Sequence, residues 1–248
     1  LTGAPTLPDP TRLGLDPDAS LWTWDFDLVE SMNGPQDPFV SPSNPSRTGL
    51  FDDWASFLNH GHRITAVGAS DVHGLERPGT PRTYFASSTD DPTDFDPEDL
   101  YAALKSGRAL ISTGAFATVT VNGSATLGDT VTDTDGTVDL HVRIQAMPAV
   151  EVTGFKVYVN CDQVAAIAAT APDGLVKYDD TIPLSVGADA YIVVMGFGSK
   201  TMPQGLRDVG VTVPRFATNP IFVDADGDEV WTAPGGKTCT YDRDLPGD

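Results

Sequence analysis

The stretch TVDLHVRIQAM, residues 137–147, decides how the second half of the chain is read. His141 alternates with Leu140 and Val142, and side chains two apart on a strand share a face, so this segment is a strand with its histidine at the surface. Similar short runs lie on either side: FATVTVNG (116–123), GFKVYVNCDQVAAI (154–167), LVKYDDTIPL (175–184) and DAYIVVMGFG (189–198). Gly, Asn, Asp and Pro turns separate them and no helical period intervenes. That pattern predicts an antiparallel β-sandwich over 113–218, with a boundary near Ser112-Thr113-Gly114. Residues 219–248 form a tail expected to pack on the rest.

Upstream of that boundary the pattern is α/β. Pro5, Pro8, Pro10 and Pro17 break the opening segment into turns. Trp22 to Met32 reads as a strand and PQDPFVSPSNPS as a loop. Thr48 can N-cap a helix whose apolar positions are Leu50, Phe51, Trp54, Phe57 and Leu58, stopping at Gly61. Ile64 to Ala69 then forms a short buried strand, and an apolar strand directly after a helix suggests parallel packing. Thr83 to Ala86 is a further strand. Asp96-Pro97-Glu98-Asp99 opens a second helix, which ends at Gly107. The fold class expected is therefore α/β over 1–112 followed by all-β.

The charge balance narrows the partners. Against 15 Lys+Arg stand 35 Asp+Glu, a formal charge of −20. Such a surface repels nucleic-acid backbones and anionic membranes. No apolar run is long enough to span a bilayer. Cys161 and Cys239 lack CxxC spacing and could form a disulfide or remain two buried thiols. Few lysines and abundant Asp, Thr, Gly and Pro give an extracytoplasmic cast, periplasmic or secreted. No signal peptide is visible, and Leu1-Thr-Gly-Ala-Pro starts as though mid-chain.

The strand at 64–69 ends in GASDVHG. If extended, Asp71 and His73 share a face, about 6.5–7 Å apart at the backbone. A carboxylate with an imidazole suits Zn, Mn or Fe, ions that make a nucleophile of water. Four segments in order, DLVESMNG (27–34), DDWASFLNHGHRITAVGASDVHG (52–74), PGTPRTYF (78–85) and DLYAALKSGRALISTGAF (99–116), resemble the PHP (polymerase and histidinol phosphatase) superfamily of metal-dependent hydrolases. The likeness is to the bacterial branch that includes carbamate-hydrolysing enzymes, and it extends more loosely to TNPIFVDADGDEVW (218–231). It implies that 1–112 is the carboxyl-terminal portion of a distorted (β/α)7 barrel. The activity implied uses two or three divalent ions on a phosphoester, carbamate or amide. Asp71 and His73 match the family's last ligand pair. Arg82, soon after that motif, could hold a substrate anion or be a buried structural arginine paired with one of the many acids.

The family's earlier ligand motifs, a paired HxH among them, have no counterpart here. Only His73 of the four histidines, His60, His62, His73 and His141, lies in a ligand motif. Three or four protein ligands are usual for zinc. The rest are expected upstream of Leu1 or on another chain, which would also cover the edge at residues 22–32. The alternative is a non-catalytic component of an extracellular or cell-surface assembly. His60 and His62 flank a helix end, a structural placement. Glu30 is expected to point with Leu28 and Met32, not to water. Asp224, Asp226 and Asp228 alternate as Ca2+ ligands do, but an EF-hand loop needs Gly where Glu229 stands and Glu where Gly235 stands. A turn closing the last strand is the preferred reading. No P-loop, GxSxG or strand-borne GxGxxG occurs.

Overall fold

A computed structural model describes residues 25–33, 50–74, 78–207 and 213–236. The Pro-rich opening, the start of the first strand, Thr48 and Cys239 lie outside the described residues. In chain order the elements are β1 (Leu28–Asn33), α1 (Leu50–Asn59), β2 (Thr65–Ala69), β3 (Arg82–Phe85), α2 (Pro97–Lys105) and β4 (Ala109–Ser112). Then follow β5 (Phe116–Val121), β6 (Thr130–Thr132), β7 (Thr137–Gln145), β8 (Gly154–Val159) and β9 (Asp162–Ala168). The last are β10 (Val176–Ser185), β11 (Ala190–Phe197), β12 (Arg215–Thr218) and β13 (Ile221–Asp224).

The helices form where local chemistry asks for them. At α2, Asp96 accepts the Glu98 N–H at 3.0 Å, Pro97 occupies the first turn and Lys105 the last. Each group complements the helix end it sits on. The α1 face made of Phe51, Trp54, Phe57 and Leu58 is buried, and Trp54 Nε1 donates to Ile64 O at 2.7 Å.

Antiparallel sheets dominate. β10, β7 and β5 make one sheet, and an eight-stranded sheet faces it. At its centre β11 pairs with β8 on one edge, while its other edge is shared by β12 and β13. β12 leads on to β4 and β3, and β13 to β6. The strands on either side of residue 112 thus belong to one sheet, because β4 hydrogen-bonds to β12.

This large sheet has a core on each face. Ala190, Ile192 and Val194 of β11 pack with Val119, Leu140, Val142 and Ile144 in the sandwich interior. Tyr191, Val193, Met195 and Phe197 pack on the other side with Trp54 and Leu58 of α1. Tyr191 Oη also donates to buried Asn59 Oδ1 at 2.8 Å, pinning the end of α1 to the central strand. Burial, reinforced by the charge of Asp162, pushes the Tyr191 hydroxyl up, so it remains a donor. Tyr191→Phe removes this buried hydrogen bond, and urea unfolding should register a loss of about 1–2 kcal/mol.

Among the described residues the α/β character is confined to β1–α1–β2, whose strands pair in parallel. Among the described residues β1 has no second strand beside it. A register irregularity between Glu30 and Met32 reverses the facing within β1. Met32 is buried while Glu30 is exposed, so Glu30 does not point with Met32 as its spacing suggested.

β2 meets the large sheet through side chains instead of a ladder. The Ala66 N–H donates to Asn219 Oδ1 at 2.8 Å, and Asn219 Nδ2 donates to Ala66 O and Ala109 O at 2.9 Å each. Thr83 Oγ1 accepts from the Gly68 N–H and donates to Gly68 O, both at 2.9 Å. The approach is close enough to require glycine, since a Cβ on Gly68 would lie 2.6 Å from Ile111 Cγ2.

Candidate metal centre

The loop leaving β2 carries Asp71 and His73. It is not extended, because Asp71 adopts a left-handed φ of 50°. The two side chains converge all the same, through a turn and not through strand alternation. His73 Nδ1 lies 2.7 Å from Asp71 O and 3.3 Å from Asp71 Oδ1. With Nδ1 held against these oxygens, Nε2 is the nitrogen left to face outward, the usual arrangement of a histidine ligand oriented by a partner. Both side chains are open to solvent, at 79% for His73 and 44% for Asp71.

Arg82 stands apart from this pair. On β3 it shares a face with Tyr84, which packs against the sandwich interior, whereas Thr83 on the opposite face reaches β2. Its Nη2 lies 3.4 Å from Thr80 Oγ1, and its buried Nε has no partner among the described residues. His60 Nδ1 sits 2.7 Å from Ser56 O at the end of α1, and His62 packs edge-on to Phe57. His141 Nε2 meets Asp179 Oδ1 at 3.0 Å on the outer face of β7.

The acidic tail behaves as a turn. Buried Asp224 accepts from Thr132 Oγ1 at 2.9 Å, Gly227 N–H at 2.8 Å and Glu229 N–H at 3.1 Å. Burial alone would raise its carboxyl, but these hydrogen bonds outweigh burial and lower it. Asp228 Oδ1 accepts from the Val230 N–H at 2.8 Å, within the same turn.

No family model, curated protein or solved structure matches this chain.

Geometry therefore carries the site. Among the described residues, one group of three or more His, Cys, Asp or Glu side chains brings its ligand atoms together: Asp189, Asp224 and Asp226, within 4.8 Å of one another. Asp228 is not in it. A hydrogen bond from Asp228 lowers the Asp226 carboxyl, but burial and the charges of Asp228, Asp189 and Asp224 more than reverse this and raise it. Asp189 escapes a sequence reading because it sits alone in the β10–β11 turn. It reaches the tail by accepting from the Ala225 and Thr232 N–H groups at 2.8 and 2.6 Å. Asp71 and His73 have no third ligand of this kind among the described residues.

Proposed function

We propose that the chain is the carboxyl-terminal part of a PHP-type metallohydrolase in which Asp71 and His73 supply two ligands to a divalent metal centre. The observation that carries this reading is the 3.3 Å approach of the two side chains at the carboxyl end of a parallel strand pair. Active sites of α/β barrels are built at that end. The donor types fit Zn, Mn or Fe; because the Asp71 carboxylate sits on the Nδ1 side of the ring, it and His73 Nε2 would serve different ions of a two- or three-ion centre. Such an ion, when bound, would lower the pKa of a water to give hydroxide for attack on a phosphoester, carbamate or amide. The chain's own residues fix the imidazole: the Asp71 carbonyl and carboxylate hold Nδ1, and Thr83 and Asn219 anchor the strand beneath. Arg82, on the far face of β3, is not needed for this reading.

Two ligands do not complete a centre. An amino-terminal barrel segment, or another chain, would bring the others and pair with the open edge of β1, where Phe26 and Leu28 are each 38% exposed. A disulfide at Cys161 supports an extracytoplasmic setting, periplasmic or secreted. Among the described residues no helix is long and apolar enough to cross a membrane.

The test is metal content of the protein with its partner segment, in wild type and in Asp71→Ala and His73→Ala. Loss of either ligand should weaken zinc or manganese binding by more than the roughly tenfold to hundredfold that losing a ligand's supporting partner costs, and abolish hydrolysis. Metal content and activity that survive both substitutions would remove the reading. A second reading, a non-catalytic assembly component, is favoured by the missing third ligand among the described residues. It would be supported by a protein that holds no transition metal even when joined to its partner.

A further inference from the structure

At the end of β2 opposite Asp71 and His73, a cavity of about 250 Å3 opens between Arg63, Thr65, Lys105, Gly128 and Asn219. Its walls are brought together by the Gly128 turn: that residue has a φ of 85°, and a Cβ there would overlap Ser106 O, so only glycine lets the turn close on the end of α2.

Many acceptors in the wall are already used. Asn219's carboxamide is committed to Ala66 and Ala109. Ile64 O takes the Trp54 indole N–H, Gly107 O takes the Ala109 N–H, and Pro220 O takes the Gly128 N–H. The helix-end carbonyls of Ala102, Ala103 and Leu104 are likewise bonded, to Ser106, Arg108 and Gly107.

Two cations flank the space in a chain carrying 35 acidic residues against 15 basic ones. Arg63 lies over Phe222, 3.9 Å from guanidinium carbon to ring centre, and 5.1 Å from the Trp231 ring. Its Nη2 donates to Thr130 Oγ1 at 3.0 Å. Among the described residues it forms no ion pair, and burial pushes its pKa down. A guanidinium seated over an aromatic ring is restrained there, and its remaining N–H donors suit carboxylate or phosphate. Lys105 meets Asp27 at 3.6 Å with both side chains exposed, a contact weak enough to exchange. Asp129, next to Gly128 in the chain, is engaged by Arg108 at 2.9 Å.

We propose that this cavity binds a small oxyanion, the phosphate or carboxylate of a small molecule, between Arg63 and Lys105. The site is separate from the metal centre and does not depend on it. The probes are inorganic phosphate and acetate, each titrated at ionic strength matched with chloride, into the whole chain labelled with 15N. Arg63 Nε–H and the Gly107 and Gly128 amides should shift saturably with one or both probes, and the probe that saturates identifies the anion. Lys105→Ser, at an exposed helix end, should keep the folded spectrum and weaken binding about tenfold, and Arg63→Gln should do so at least as strongly. Linear shifts equal to those with chloride would overturn the proposal. So would saturable shifts that Lys105→Ser leaves unchanged.

Discussion

Asn219→Ala is expected to destabilise the protein by about 4 kcal/mol, the cost of leaving the buried Ala66 N–H and O without these partners and Ala109 O with the residue 219 N–H alone. One carboxamide satisfies the Ala66 N–H, Ala66 O and Ala109 O, all out of reach of water. Asn219→Asp is the informative companion. Its carboxylate can still accept from the Ala66 N–H, but it sets negative oxygen against two carbonyls, so it should be no better than alanine. Denaturant unfolding measures the loss. Amide hydrogen exchange locates it: protection should fall first at Ala66 and Gly68, before the β11 core. Stability of Asn219→Ala within about 1 kcal/mol of wild type would show that β2 is held by other means. Because β2 carries the Asp71–His73 loop, the variant should also loosen the candidate metal pair without touching it.

Glu151→Gln is the second large effect, and it depends on pH. The Glu151 side chain is buried, which by itself raises its carboxyl. Lys200, the Ser199 hydroxyl and the Ser199 and Lys200 N–H groups outweigh this and hold it near a pKa of about 2. Three of those donors converge on Oε2, and Lys200 Nζ meets Oε1 at 2.9 Å. A depressed folded-state value contributes stability that is fully present above the ordinary 4.5 and lost as pH falls from there toward about 2. The neutral variant keeps one acceptor but turns an NH2 toward the Lys200 ammonium. It should be less stable than wild type by about 2 kcal/mol at pH 7. The gap should close as pH drops through that window, since wild type loses its advantage there. A gap that is constant from pH 7 to 2.5 would show that the carboxylate's charge is not what matters.

How much of this was legible follows from which forces are local. α2 could be read from Asp96, Pro97 and Glu98 because capping acts within one turn of chain. β7 and β5 could be read because one face is wet, so their alternation survives in the sequence. The role of β11 could not: a strand covered on both sides is a plain apolar run, and nothing in AYIVVMGF tells which residue faces which layer. β4, with four buried residues, has the same difficulty. Pairing of β4 with β12, and the work of Asn219 and Thr83, depend on contacts across long stretches of chain, which periodicity does not encode. At the candidate site, the spacing of Asp71 and His73 implied an extended pair on one face, whereas the left-handed turn at Asp71 that brings them together was not legible. Nor was the face on which Arg82 lies, since it depends on which side of β3 receives β2.

The double burial of β11 has a mechanical corollary. A strand whose alternate residues seat in separate cores cannot shift on one side while standing still on the other. Shaving Ile192 in the sandwich should disturb the seating of its neighbours Tyr191 and Val193 against the helix. Heat should therefore dismantle both layers in a single transition, and the segment bearing Asp71 and His73 will inherit its rigidity from residues more than a hundred positions downstream.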